Sequence, residues 1–382
     1  MRLLLVGQGR QESGYARVLR SLAPFLADYF DTRYFHVNTR SALSLRGVEC
    51  VAPTLISDPF GTIELPDVLS QQAPDVLLAC HDADVLGHYA QLVRRYRSQT
   101  HLVLYVPLEW ADIPEDTLAG LALADVLVCY TEAARKWLAD RLDTVSRPSS
   151  PRIRVLPHGV DLQTFGPIGP AGRVARSALT KPQRRFLARQ LLGLPEDGLI
   201  ILNANRDTPR KRLDATVHAY AEVLRRRPDV RLILTHGSRH RALVRELGLS
   251  RYVILPDMRN LHDETLNLYY NSADIGINTA TAEGWGLVAL EHAAAGAAQV
   301  MPRHPALLEI WGRSATFVPC ERSSIAGYGC SSPIDHASAI LALLTEPHRR
   351  EQFEESTQRV ASSLQLSWKS IAERWVELLI RP

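Results

Sequence analysis

The sequence predicts an α/β protein built from two Rossmann-like, parallel-sheet halves, and three observations lead there. Short apolar runs alternate with helix-period patterns from one end of the chain to the other. Runs such as Asp75–Cys80 and Leu199–Leu202 are apolar almost throughout rather than at every second residue, the pattern of strands covered by helices on both faces. The length, 382 residues, suits two domains of ordinary size.

Taken in order, Leu3–Val6 reads as the first strand and Gly7-Gln8-Gly9 as the turn that follows it. Ser13–Tyr29 reads as a helix, with Val18, Leu19, Leu22, Phe25 and Leu26 at helical spacing. Asp75–Cys80, His101–Val106 and Asp125–Tyr130 are further strands, separated by helices at about 83–97 and 131–142, and Ile153–Leu156 is a short last one. Residues 1–175 make the first domain on this reading. Pro, Ser and Gly are dense from Arg147 to Lys181, and Gly166–Arg173 is the expected linker. The second domain, 176–365, alternates again: strands at Leu199–Leu202, Val230–Leu234, Tyr252–Leu255, Ile275–Ile277 and Ala298–Met301, with helices near 214–227, 240–247, 264–272 and from Leu287 to Gly296. In 366–382, Trp368, Ile371, Trp375, Leu378 and Leu379 share one face of a final helix.

Composition narrows the function classes. Hydrophobic residues are 46% and charged residues 22%, which suits packed cores. The net charge of +3 gives no reason to expect a nucleic-acid coat. Lysine occurs only at 136, 181, 211 and 369, so Lys211 stands out in a chain whose other cations are arginine. The five cysteines are odd in number and form no C-x-x-C pair, which points to a reducing compartment rather than a disulfide framework or a zinc site. The N-terminus reads as a strand, not a signal peptide, and no apolar stretch approaches the ~18 residues of a membrane span. A soluble, cytoplasmic protein is expected, with peripheral membrane contact left open.

The chain is organised around Thr281–Pro302, TAEGWGLVALEHAAAGAAQVMP. The apolar run Ile275–Ile277 enters it as a buried strand, a loop carries Glu283, Gly284, Trp285 and Gly286, and strong helix formers begin at Leu287. A helix start offers unpaired N–H groups and the positive end of a dipole, a place for an anion, and glycines let backbone come close to a ligand. Two carboxylates eight residues apart, Glu283 and Glu291, can hold hydroxyls at two ends of one elongated molecule. A second stretch, Asn203–Asp214 or NANRDTPRKRLD, places Arg206 and Lys211 directly after a strand, where they form either a diphosphate clamp or a solvated basic loop.

Glu283 to Glu291, with the flanking EGWGL and LEHAAAGAAQV, resembles the E-x7-E motif of the retaining glycosyltransferases of family 4, which have the GT-B fold. Arg206, Lys211 and Asp214 resemble that family's R-x4-K-G-x-D pattern, with Arg212 where the family usually has glycine. The departure leaves open the backbone path, and which of Arg210, Lys211 and Arg212 meets phosphate. PHGVD at 157–161 with Phe165, and the stretch around Asn267, Tyr269 and Asn278, match further family segments, in which Tyr270 and Asp274 read as structural.

The resemblance implies two domains facing across a cleft, with the last helix crossing back to the first. It implies transfer of a sugar from a nucleotide-diphosphate sugar to an acceptor hydroxyl on a glycan, a lipid-linked molecule or a small molecule. Glu291 would bind ribose hydroxyls and Glu283 the donor sugar. Backbone groups over Gly284, Trp285, Gly286, Leu287 and Val288 would hold sugar and phosphate oxygens. Arg206 and Lys211 would neutralise the diphosphate, so no divalent metal or other cofactor is expected. In the first domain Gly14 matches the loop aimed at the donor diphosphate, although a plain strand-to-helix turn reads as well, since Glu12 breaks G-x-G-x-x-G. His81 resembles the family's acceptor-side histidine, and Glu109 and Trp110 are further acceptor-side candidates; Asp82-x-Asp84 is a D-x-D spacing to which no metal role is given. Three other classes stay in view: a non-hydrolysing sugar-nucleotide epimerase, an NAD-linked oxidoreductase, and an inactive binding relic.

Overall fold

The computed structural model describes residues 1–9, 13–55, 57–144, 151–175, 179–256 and 262–380. By contacts the chain divides into two compact units, Met1–Gly159 with Gln365–Pro382, and Val160–Leu364.

The first unit runs β1 (Arg2–Gln8), α1 (Gly14–Leu26), β2 (Asp31–Val37), β3 (Val48–Val51), α2 (Leu65–Gln72), β4 (Val76–Cys80), α3 (Ala83–Tyr96), β5 (His101–Val106), α4 (Glu115–Leu121), β6 (Val126–Cys129), α5 (Glu132–Leu142) and β7 (Arg152–Val155). The strands form one parallel sheet in the order β3-β2-β1-β4-β5-β6-β7. β4 is buried at every residue, as strands between two helical layers must be. β2 and β3 escape the sequence reading because β2 buries Thr32 and His36 among its apolar residues, and β3 is a short edge strand without a fully buried residue.

β1 runs on to Gln8, so Gly7 and Gln8 are strand residues and not the expected turn. Gly7 serves close packing instead: a Cβ there would lie 2.5 Å from Leu19 Cδ1 and 2.7 Å from the Cys80 carbonyl oxygen.

In the second unit the elements are α6 (Lys181–Leu192), β8 (Leu199–Asn203), α7 (Leu213–Arg226), β9 (Val230–Leu234), α8 (Arg241–Glu246), β10 (Val253–Ile254), α9 (Asp263–Ser272), β11 (Ile275–Ile277), α10 (Leu287–Ala294), β12 (Ala298–Pro302), α11 (Pro305–Trp311), β13 (Thr316–Val318), α12 (Pro333–Thr345) and α13 (Pro347–Ala361). The sheet is again parallel, in the order β10-β9-β8-β11-β12-β13. Residues 160–175, which the sequence placed in the first domain with a linker at Gly166–Arg173, belong to this unit. The reason is side-chain hydrogen bonding to backbone. Asn267 Nδ2 and Asn271 Nδ2 donate to the Gly166 carbonyl at 3.1 and 2.9 Å, and Gly166 N–H donates to Asn267 Oδ1 at 3.1 Å.

The last helix, α14 (Trp368–Ile380), packs on α1 in the first unit. Trp375 is fully buried there with its ring 4.9 Å from that of Tyr105. No helix among the described residues is long and apolar enough to cross a membrane.

Candidate active site

In each sheet the strand order reverses once, and ligands in such sheets bind at the carboxyl ends of the two strands flanking that point. In the second unit those strands are β8 and β11, which are hydrogen-bonded neighbours. The loop after β8 carries Arg206, Arg210 and Lys211, and the loop after β11 carries Glu283. The two stretches singled out in the sequence therefore meet at one sheet edge, although about 70 residues separate them.

The loops are joined by direct contacts. Lys211 Nζ forms an ion pair with Glu283 Oε2, and Arg210 Nη1 lies 3.7 Å from Glu283 Oε1. Asn278 Nδ2 donates to Glu283 Oε2 at 3.2 Å. Thr281 N–H donates to the Arg210 carbonyl at 2.8 Å, and Arg210 Nη1 to the Ala282 carbonyl at 2.6 Å. Burial by itself would push the Glu283 carboxyl up; the Lys211 charge, then that of Arg210, then hydrogen bonds from Lys211 and Asn278 outweigh it and bring it down to about 2. A carboxylate buried to 6% exposure thus stays ionised next to two cations.

Gly286 caps α10 at φ +88°, in the left-handed region that a side chain would strain, and with Glu283, Gly284 and Trp285 it is buried. Leu287 and Val288 are the first two residues of the helix and half-buried, so their N–H groups are among those without an intrahelical acceptor. Glu291 is the fifth residue of α10 and is also buried, at 3% exposure. Tyr270 Oη donates to Glu291 Oε2 at 3.0 Å, and the Tyr270 ring stacks on His292 with centroids 5.1 Å apart. A residue read as structural is thus a direct partner of a site carboxylate.

Arg206 is exposed, and its side chain forms no ion pair among the described residues. Arg212 decides the question its departure from the glycine pattern raised. Its backbone takes the left-handed conformation a glycine would favour, at φ +46° and ψ +51°. Its guanidinium turns to Asp214, donating to both carboxylate oxygens at 2.9–3.1 Å, and to Cys330 Sγ at 3.7 Å. Lys211 and Arg210 are therefore the cations directed at Glu283, and Arg212 is not. Arg212→Gly and Arg212→Ala both lose the half-exposed pair with Asp214, but only glycine relieves the backbone. Chemical denaturation is expected to find the glycine variant more stable than the alanine one by about 1 kcal/mol.

In the first unit the reversal falls between β1 and β4. His81 directly follows β4 and is fully buried. Its Nδ1 accepts the Asp82 N–H at 2.8 Å, which leaves the proton of the neutral ring on Nε2, 3.1 Å from the Gln8 amide. The atom of Gln8 placed there is Nε2, and the opposite orientation of the amide would set its oxygen against the ring proton. Burial lowers the His81 pKa, against the opposing fields of Asp82 and Asp84. Asp82 caps α3 and accepts the Tyr15 hydroxyl at 2.8 Å; the two carboxylates of the D-x-D spacing are solvent-exposed. Glu109 and Trp110, both half-buried, follow β5 in the same sheet edge, and Trp110 Nε1–H donates to the Asp112 carbonyl at 3.1 Å. Burial first, then the Asp82 and Glu109 carboxylates, hold the Tyr15 hydroxyl well above the usual tyrosine range. Gly14 is the first residue of α1; Arg10 to Glu12 of its loop lie outside the described residues. Among the described residues no three His, Cys, Asp or Glu side chains converge as a metal site.

Residues 185–360 match the model of the family described as glycosyl transferases group 1, a span that contains Arg206, Lys211, Glu283 and Glu291. That span, a little under half of the chain, is similar to the group 1 glycosyltransferases. The D-inositol 3-phosphate glycosyltransferase 2 of Catenulispora acidiphila is 30% identical over 60% of this chain and 51% of its own length. The D-inositol 3-phosphate glycosyltransferase of Geodermatophilus obscurus is 30% identical over 68% of this chain and 52% of its own. The chain thus spans about half the length of these curated relatives. In fold it is similar to the sucrose-phosphate synthase of Thermosynechococcus elongatus, with a TM-score of 0.79 at 18% identity over 100% of this chain and 98% of the other. It is also similar to Anabaena Alr3699/HepE in complex with UDP-glucose, with a TM-score of 0.75 at 16% identity over the whole of both chains. The two Rossmann-like sheets of this chain are those of the GT-B fold.

Most of the residues that the sequence reading underused share one property. Arg210 and Tyr270 touch the site carboxylates only because elements distant in sequence converge, and Gln8 and Tyr15 meet His81 and Asp82 in the same way, whereas Asn278 reaches Glu283 from five residues away in the same loop. The one local signal was the unbroken cationic run Arg210-Lys211-Arg212.

Proposed function

We propose that this chain is a retaining glycosyltransferase that moves a sugar from a nucleotide-diphosphate sugar to an acceptor hydroxyl. One observation carries the reading: at the β8–β11 reversal, Lys211 and Arg210 meet Glu283 at the foot of a glycine-capped helix that also buries Glu291. That edge offers cations for a diphosphate, helical N–H groups for its oxygens, and two carboxylates for hydroxyls on either side. Glu291 takes the ribose hydroxyls, and Glu283 those of the donor sugar. Lys211 has three N–H donors, so it holds Glu283 and a phosphate oxygen together. Backbone and side-chain groups over Gly284, Trp285, Leu287 and Val288 complete the donor site. The relatives' names, which include a UDP-glucose complex among similar folds, support a nucleotide sugar as donor.

In the reaction the bond between the anomeric carbon and the diphosphate oxygen breaks as the acceptor oxygen bonds to that carbon on the same face. The acceptor's proton passes to the departing diphosphate, and Lys211 with Arg206 stabilises the charge that develops there. The reading needs no divalent cation. His81, Glu109 and Trp110 of the first unit are the acceptor-side groups.

A thermal-shift screen with UDP, GDP, ADP, their common sugars and NAD tests this reading. One nucleoside diphosphate is expected to stabilise the wild type, by about 2.7 kcal/mol at a hundred times its dissociation constant. Glu291→Ala is expected to lose most of that shift. A shift with NAD alone would sink the proposal.

A further inference from the structure

Beneath the Lys211 turn lies a buried chain of polar side chains that the donor-site reading does not use. Asn203 ends β8, Thr216 lies on α7, and Thr279 is the second residue of the loop after β11; their exposures are 0%, 0% and 3%. Asn203 Nδ2 donates to Thr216 Oγ1 at 2.9 Å, and the two threonine hydroxyls are 2.8 Å apart. Thr279 Oγ1 lies 2.8 Å from the Arg212 carbonyl oxygen and 3.1 Å from that of Lys211. Below Asn203, its Oδ1 accepts both the N–H and the side-chain amide of Asn205, at 3.0 and 2.9 Å.

Donor counting fixes the direction of this chain. A hydroxyl has one proton, and carbonyls only accept, so Thr279 must spend its proton on the Lys211–Arg212 carbonyls. Thr216 then gives its proton to Thr279, and Asn203 satisfies Thr216. Every hydroxyl is used once, and no alternative arrangement satisfies the same groups. The carbonyls at the end are those of the turn that passes through left-handed Arg212 and sends Lys211 to Glu283. A left-handed non-glycine residue persists only where its surroundings hold it.

We propose that Thr279 is a positioning residue for the donor diphosphate, holding the Lys211–Arg212 peptide so that the Lys211 ammonium stays at the β8–β11 reversal. The inference rests on the donor-site reading above and adds a selectivity to it. Loss of the hydroxyl moves the cation, so it weakens binding of the diphosphate group and spares the rest of the nucleotide.

The test uses whichever of UDP, GDP and ADP stabilises the wild type most, together with the matching nucleoside. Affinities for both are measured by ligand-detected NMR on wild type, Thr279→Val and Thr279→Ser. The valine variant keeps the shape and removes the hydrogen bond. It is expected to bind the diphosphate roughly tenfold more weakly and the nucleoside within about twofold of wild type, the size of effect one unsatisfied buried group produces. Serine is expected to restore diphosphate affinity. If Thr279→Val does not fold, Thr216→Val one link away carries the test, with the same diphosphate-selective loss at a few-fold. Equal weakening of both ligands, or unchanged diphosphate affinity, overturns the inference alone. A wild type that binds none of the three diphosphates overturns the donor-site reading and this inference with it.

Discussion

Lys211→Ala is expected to lower turnover by roughly 10²–10³-fold, the usual cost of removing one preorganised group that meets developing charge. The same change should destabilise the fold, because Glu283 keeps its buried carboxylate without its ion-pair partner. Breaking a buried pair from one side costs about 3–5 kcal/mol, and the lower end is expected here since Arg210 remains 3.7 Å away. The pH dependence identifies the cause. In the wild type the Glu283 carboxyl is lowered to about 2, below its unfolded value, so it stabilises above the unfolded pKa and loses that contribution as pH falls through the folded one. Without Lys211, burial pushes the carboxyl the other way, and protonation then relieves the variant. The stability gap between wild type and Lys211→Ala should therefore narrow as pH is lowered from about 5 toward 2. Urea denaturation across that range reads it directly. A gap that does not change with pH would mean that Glu283 is not the group left unpaired.

Asp274→Ala should produce the largest loss of stability with little effect on chemistry. Asp274 is fully buried, is ion-paired with Arg185 and Arg189, and accepts the Ile200 N–H at 2.8 Å. Arg189 is itself 1% exposed and also donates to the Ser272, Glu196 and Gly198 carbonyls. Removing the carboxylate leaves that guanidinium buried and uncompensated, at a cost of about 3–5 kcal/mol. The cluster sits where β8 and β11 begin, at the opposite end of the strands from Lys211 and Glu283. The measured kcat of the folded fraction should stay within about twofold of wild type, since a distant site couples weakly. A loss under about 1 kcal/mol would show that the arginines find other compensation.

The contrast between these two variants follows how the chain could be read. Strands such as β4 and β8 were legible because continuous apolar runs admit few other structures, and α10 because Leu287 onward is dense in helix formers. β2 was not, because buried Thr32 and His36 give it the polarity of a loop. The segment 160–175 was misplaced because its composition is that of a linker, while its partners, Asn267 and Asn271, lie about a hundred residues on. Glu283, Arg206 and Lys211 stood out as charged residues in the loops after apolar runs, and Glu291 by its spacing from Glu283.

By itself the sequence determined the alternation of strand and helix, the glycine at the start of α10, and the spacing of the charged residues on each loop, because all three are local properties. Tertiary structure alone decided which charges meet. Only the strand order, with β8 beside β11, brings Lys211 to Glu283. The buried threonine chain reaches the carbonyl of left-handed Arg212 only through the fold, and only the packing of α9 on α10 sets Tyr270 against Glu291. Coulomb energies and hydrogen bonds depend on distances between atoms, and a sequence fixes those distances only through the fold.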